Sequence, residues 1–256
     1  MHGEGRATAC HVTADASGGP TLETATMAVE RTTRADAPAV LDGYEGDVVL
    51  ADRSVATDET LAGLLADPDG VPCVVVDETS DGDAVDRAVA DAVARDWHGY
   101  PVAANERERL AAVEAYDFDD PTLRRHLDGL ATTVRECFDA RVGVVGVVGE
   151  TTERFVAEDG MGRESLARRD ALCARGIFAD GTLVAPSLGT DPRVNADALD
   201  DGLEFYAGAP IRTPSGTPIG MLCVLDDARD GFDEADRDAL AWLSEQASGY
   251  ADRYGR

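Results

Sequence analysis

Apolar residues recur along the chain in two alternating rhythms. Short β-branched runs at 9–13, 38–41, 47–51, 72–77 and 100–103 are bounded by turn-forming residues and predict strands. Between and after them, residues 22–31, 60–65, 84–97 and 106–116 carry apolar positions at helical spacing. Val85, Val89, Ala92 and Val93 show it, as do Leu61, Leu64 and Leu65. Strands alternating with helices predict a parallel sheet covered on its faces: a small, doubly wound α/β domain with five strands.

The rhythm changes after the acidic stretch Asp117, Asp119, Asp120. Residues 121–138 set Leu123, Leu127, Leu130, Val134 and Cys137 on one seam, and 233–254 repeat the pattern with Leu240, Leu243, Ala247, Tyr250 and Tyr254. Each seam covers about two heptads, too short for a free-standing coiled coil. It can pack on the chain's own sheet, on a second copy, or on both. Strand-like runs lie between the helices at 140–148, 154–157, 183–185, 204–211 and 217–225. Thr213-Pro214-Ser215-Gly216 joins the last two as a hairpin turn. This half therefore predicts an antiparallel sheet flanked by terminal helices, an α+β arrangement, and the domains are expected at 1–121 and 122–256.

Charge narrows the function classes. Fifty acidic residues stand against 23 basic ones, every one of them Arg, for a formal charge of −27. A nucleic-acid footprint, which needs clustered positive charge, is excluded. Carboxylates in this number repel one another unless concentrated salt screens them, so the composition predicts a halophilic type of protein. The longest apolar run, 142–149, falls far short of the roughly 20 residues of a membrane helix. The amino terminus has no signal or transit layout, and a cytoplasmic location is expected. The five cysteines are widely spaced with no C-x-x-C pair, which argues against a disulfide framework or zinc knuckle; Cys73, Cys137 and Cys223 sit in apolar stretches and are expected to be buried. Gly143, Gly146 and Gly149 read as small residues in a tightly packed strand, with neither the spacing nor the Lys of a phosphate loop.

The hairpin FYAGAPIRTPSGTPIGMLCVLD, 205–226, closely resembles the signature of GAF domains, the small-molecule sensor modules of signalling proteins. LARRDALCARGIFADGTLVAPSLGTDPRV upstream is similar to the segment that closes the pocket in that family, and DARDGFDEADRDALAWLSEQA downstream resembles its closing helix. The resemblance spans about 122–252 and implies a GAF sheet under a loop-covered cavity, with Phe155, Cys173, Phe178, Tyr206 and Cys223 as candidate ligand-binding residues. Ser187 departs from the Asp that relatives often carry after V-x-P, and the Asn-Lys-Phe-Asp-Glu type motif of cyclic-nucleotide GAF domains is absent. Arg163, Arg168, Arg169, Arg175 and Arg193 offer charge for an anionic ligand, or equally for ion pairs.

The first half resembles a degenerate response-regulator receiver domain. DVVLAD, ending at Asp52, is similar to the strand whose last Asp accepts phosphate, and VPCVVVDE resembles the next strand. A working receiver needs paired acids after the first strand for Mg²⁺, where HVTADA offers Asp15 alone. Asp77 stands where the family uses Thr or Ser, and there is no Lys. Asp15, Asp52 and Asp77 are expected at carboxyl ends of neighbouring strands. The resemblance implies a pseudo-receiver for docking or dimerisation, or alternatively a phosphorelay receiver using Asp52.

Together these readings predict a non-enzymatic signal-transduction sensor or adaptor. Its GAF domain binds an unidentified small molecule or forms a homodimer through Leu123, Leu127, Leu130, Leu240 and Leu243. The chain ends two residues after Tyr254, so output is expected in trans on a signalling partner. No cofactor or metal is named by the sequence. The enzymatic alternative is a thiol-dependent reductase of free methionine sulfoxide using Cys173 and Cys223.

Overall fold

The computed structural model describes residues 7–14, 24–42, 44–58, 61, 70–95, 97–195 and 202–256. The chain divides into two compact units, Met1–Arg107 and Glu108–Arg256.

In the first unit, strands β1 (Ala7–Thr13), β2 (Met27–Thr33), β3 (Val48–Asp52), β4 (Cys73–Val76) and β5 (Pro101–Ala103) form a parallel sheet in the order β2-β1-β3-β4-β5. This is the flavodoxin-like doubly wound order. Strands β3 and β4, VVLAD and CVVV, are apolar almost throughout because helices cover both faces of a parallel sheet. The helices are α1 (Ala37–Leu41), α2 (Arg53–Ala56), α3 (Gly82–Ala94) and α4 (Glu106–Glu114), within which the division between the units falls. Helix α3 starts where the Asp81 carboxylate accepts the Ala84 N–H at 2.7 Å, and it buries Val85, Ala88, Val89 and Ala92.

Two expected elements exchange identity here. Residues expected as a helix at 22–31 instead supply β2, and those expected as a strand at 38–41 form α1. Strand β2 pairs with β1 alone, so it is half exposed and its sequence, MAVERTT, carries charges that imitate a helix surface. Pro38 sits in the first turn of α1, where its missing N–H has no helical partner to lose. Of the helix expected at 60–65, only Leu61 is described, and it is buried. Asp15 lies outside the described residues.

The second unit holds an antiparallel sheet of β6 (Val142–Val148), β7 (Thr152–Asp159), β8 (Ser165–Ala167), β9 (Leu183–Ala185), β10 (Phe205–Arg212) and β11 (Pro218–Asp226). Its strand order is β8-β7-β6-β11-β10-β9. Helix α5 (Pro121–Cys137) opens with Pro121 under the Asp120 carboxylate, which accepts the Thr122 and Leu123 N–H groups at 2.8 and 2.9 Å. Asp233 and Asp236 close a reciprocal capping box at the start of α7 (Glu234–Tyr254). A single turn, α6 (Cys173–Gly176), lies between β8 and β9.

Helices α5 and α7 pack on one face of this sheet. Leu123, Leu127, Leu130, Leu240 and Leu243 are 0, 1, 6, 0 and 7% exposed in a core shared with Phe205, Ala207, Ala209, Leu222 and Val224. Each buried Leu contributes about 1.5–3 kcal/mol. The seams expected to meet a second copy are thus filled by the chain's own sheet, because the inward side chains of β10 and β11 supply the same apolar surface a partner would. Cys137, expected inside, is exposed at the last turn of α5. Gly143 permits the close helix–sheet contact: a Cβ there would stand 2.2 Å from the Ala131 carbonyl oxygen on α5.

Candidate functional site

Period-two alternation decides what the other face of the antiparallel sheet presents. Along β10, Phe205, Ala207 and Ala209 enter the helical core, so Tyr206 and Gly208 face away; along β11, Leu222 and Val224 enter it, so Cys223 and Leu225 face away. Cys223 lies directly across from Gly208. A Cβ at Gly208 would come within 2.3 Å of the Tyr206 hydroxyl oxygen and 3.0 Å of Cys223 Sγ, so the missing side chain is the space in which these two groups meet.

Helix α6 brings the third partner. Cys173 Sγ stands 3.2 Å from the Tyr206 hydroxyl and 3.4 Å from Cys223 Sγ, and the Tyr206 hydroxyl stands 3.3 Å from Cys223 Sγ. The three groups form a closed, buried triangle of donors and acceptors. Glu153, on β7 and only 1% exposed, completes the cluster. Its carboxyl shares the cavity lining with the Cys173 thiol, its Oε1 has no hydrogen-bond partner, and it rests over the space left by Gly146, where a Cβ would sit 1.9 Å from Oε1. Burial pushes the Glu153 carboxyl up to about 7, the Cys173 contact opposing only part of the shift. The hydrogen bond with Cys223, then burial, hold the Cys173 thiol well above its ordinary value; burial, then the neighbouring thiols, do the same to Tyr206.

These four groups line a cavity of about 70 Å³ whose other walls include Val144, Phe155, Leu166, Leu188, Val194 and Leu225. Pockets for drug-sized ligands span roughly 300–1,000 Å³, so the hollow as it stands admits only small groups. Of the five residues expected to bind a ligand, Phe155, Cys173, Tyr206 and Cys223 line it; Phe178 is buried and is not part of the lining. Glu153 was hidden among fifty acids, although it precedes Phe155 by two positions in a strand and so shares its face.

The arginines in this region have internal work. Arg168, fully buried, donates to the carbonyls of Gly149 and Glu150 at 3.0 and 3.2 Å. Arg193 forms a two-pronged pair with Asp191, Nε to Oδ1 at 2.8 Å and a terminal nitrogen to Oδ2 at 2.5 Å. Arg175, also buried, adds its charge beside Asp191.

In the first unit, Asp52 ends β3 with Oδ1 at 3.0 Å from His11 Nε2 and Oδ2 accepting the Ala14 N–H at 3.0 Å. Burial raises this carboxyl, but those hydrogen bonds outweigh it and the net shift is downward. Asp77 accepts from the Arg53 guanidinium at 3.1 Å and from Thr79 and Ser80. Among the described residues, no three His, Cys, Asp or Glu side chains are grouped to hold a metal ion, and no helix is long and apolar enough to cross a membrane.

No family model matches the chain. A cyclic di-GMP phosphodiesterase of Pseudomonas aeruginosa is 26% identical over 129 residues, which cover 49% of this chain and 22% of that protein. The chain therefore spans about a fifth of the length of the curated relative it matches. Among solved structures, the type II free methionine-R-sulfoxide reductase of Thermoplasma acidophilum is similar with 15% identity and a TM-score of 0.46, covering 52% of this chain and 94% of that one. The substrate-bound free methionine-R-sulfoxide reductase of Neisseria meningitidis covers 57% of this chain and 87% of its own, at 19% identity and a TM-score of 0.45. The GAF domain of the Acinetobacter phosphoenolpyruvate-protein phosphotransferase covers 57% of this chain and 89% of its own, at 18% identity and a TM-score of 0.45.

Proposed function

We propose that residues 108–256 are a GAF-type sensor domain that binds a small molecule in the cavity under α6, and that residues 1–107 are a receiver-like docking module. The observation that carries the first reading is the cavity itself: an apolar hollow with Glu153, Cys173, Tyr206 and Cys223 gathered on its floor. Apolar walls with a few convergent polar groups are the usual composition of a ligand site. Binding of anything larger than a few atoms displaces the segment bearing Leu166, Leu188 and Val194, and that displacement is the signal passed to a partner protein. The pairing of two copies, the high-salt setting and the cytoplasmic location belong to the same proposal. With the seam leucines buried, a second copy would meet the outer helical surface, where Trp242 is 59% exposed. The docking role of the first unit is supported by the engagement of both Asp52 oxygens with His11 and Ala14. Acetyl-phosphate labelling at Asp52 would turn that reading into one of an active receiver.

The test of the binding reading is a thermal-shift and native mass spectrometry screen of the full chain, reduced, in concentrated salt. A retained or titratable small molecule whose effect is lost in Phe155→Trp is expected; a chain that neither retains nor titrates any ligand would leave a passive scaffold. The contact between Cys173 and Cys223 favours a second reading, a thiol-dependent reductase. Sulfoxide turnover that disappears in Cys173→Ser supports it.

A further inference from the structure

A ligand-binding cavity does not by itself require two thiols in contact on its floor. We propose that Cys173 and Cys223 are a two-electron redox site, oxidised to a disulfide by a small hydroperoxide entering the cavity, with Glu153 as the proton acceptor. The inference shares the cavity of the binding reading but needs no bound effector, so the two can fail separately.

The geometry is that of a bond waiting to form. The sulfur atoms are 3.4 Å apart, and a disulfide needs about 2.05 Å, so side-chain rotation covering about 1.4 Å closes it. The two residues are distant in sequence, on α6 and β11, and the bond would tie the segment over the cavity to the sheet beneath it. A hollow of about 70 Å³ excludes bulky oxidants and admits hydrogen peroxide. The Glu153 carboxyl lines the same small cavity as the Cys173 thiol and has an unpartnered oxygen, so it can take the thiol proton without bulk solvent, which a thiol this deeply buried requires to become a nucleophile. The Tyr206 hydroxyl, within reach of both sulfurs, is placed to donate to a peroxide oxygen.

The steps balance as follows. Glu153 accepts the Cys173 Sγ–H proton, and the thiolate attacks the distal oxygen of ROOH. The O–O bond breaks, the leaving RO⁻ takes the proton from Glu153, and ROH departs from a Cys173 sulfenic acid. Cys223 Sγ then attacks Cys173 Sγ, the S–O bond breaks, and hydroxide leaves with the Cys223 proton as water. Two thiols and one hydroperoxide give one disulfide, one alcohol (water when R is hydrogen) and one water. The dithiol loses two electrons and the peroxide gains them.

The experiment treats the reduced full chain in concentrated salt with hydrogen peroxide, then alkylates the remaining thiols and maps the peptides. The expected product is a Cys173–Cys223 disulfide with Cys10 and Cys73 still alkylated. Cys223→Ser should stop at a Cys173 sulfenic acid, which dimedone traps when the treated chain is unfolded in its presence; if that variant does not fold, dimedone in the unfolding step of the briefly treated parent chain gives the same reading. Glu153→Gln should form the disulfide about 100-fold more slowly yet reach the same Cys173–Cys223 product on prolonged exposure to hydrogen peroxide, which separates loss of the base from loss of the geometry. The proposal is overturned if exposed Cys137 oxidises while Cys173 and Cys223 stay reduced, or if Glu153→Gln reacts at the parental rate.

Discussion

Each unit draws a carboxylate out of solvent beside a titratable neighbour, Asp52 in part and Glu153 fully, and the two are treated in opposite ways. At the end of β3, Asp52 has a partner for each oxygen, in His11 and the Ala14 N–H, and its carboxyl is held below the ordinary range despite burial. On β7, Glu153 has one unpartnered oxygen, a thiol in the same cavity lining, and a carboxyl pushed up to about 7. The first arrangement is what a fold does with a buried charge when stability alone is served. The second leaves the group's affinity for a proton, or for something brought to it, unspent. A cavity beside the second group, and its own neighbours around the first, make the same distinction in space.

The largest expected effect tests the Glu153 side of this contrast through pH. In the unfolded chain Glu153 titrates near the ordinary value of 4.5, and in the folded chain at about 7, so the folded state holds a proton that the unfolded state has released. Its contribution is fully present below pH 4.5, declines as pH rises through about 7, and is then gone, a loss of about 3 kcal/mol. Urea titrations between pH 5 and 8 should show that decline in the parent chain and not in Glu153→Gln. Equal slopes for the two proteins would mean that Glu153 is as well solvated or paired as Asp52, and the contrast between the sites would be lost.

The mirror experiment is Asp52→Ala. It leaves the buried His11 ring and the Ala14 N–H without their acceptor and should destabilise the chain by about 1–3 kcal/mol at neutral pH. Because the folded carboxyl titrates below its ordinary value, the ionised form is the stabilising one. The penalty should therefore persist above pH 3.8 and fade as acid protonates Asp52 in the parent chain, the reverse of the Glu153 trend. A third substitution, Tyr206→Phe, removes the hydroxyl shared by the two sulfurs and should reduce stability by about 1 kcal/mol in denaturant titrations. A much larger loss would make the triangle a structural network of the Asp52 kind.

Much of this architecture is legible in the sequence where local rules agree with tertiary ones. The α5 and α7 seams and the hairpin between β10 and β11 are read directly, because apolar spacing and turn chemistry point the same way. The exchange between β2 and α1 was illegible because an edge strand is decided by its partner, and Met27 through Thr33 carry no strand signal strong enough to announce β1. Cys173, Tyr206 and Cys223 were found as individuals, through the family resemblance of the segments that carry them. Their convergence depends on Gly208 and Gly146 leaving room, which no spacing reveals until the registers of β10 with β11 and of β6 with β7 are known. His11 is the one ionisable nitrogen base inside β1, and its partner at Asp52 is brought to it by the pairing of β1 with β3.

The smallest expected effect concerns the surface neither site uses. Trp242 projects from α7 with 59% of its area exposed, whereas the neighbouring seam residues Leu240 and Leu243 are spent on the sheet below. Trp242→Glu removes no buried contact and should change stability by no more than about 0.5 kcal/mol. Its informative readout is mass rather than stability: sedimentation of the parent chain and the variant in concentrated salt. If two copies pair over the outer helical face, a charge at its most exposed apolar side chain should shift the population toward monomer, and the shift should leave the pH dependence assigned to Glu153 untouched. An unchanged dimer would place the contact elsewhere, and a parent chain that is already monomeric would leave any motion of α6 to be read by a different protein. In either case, the comparison between the two carboxylates stands, because the partners of Asp52 and the cavity at Glu153 lie within their own units and neither needs a second copy to explain its surroundings.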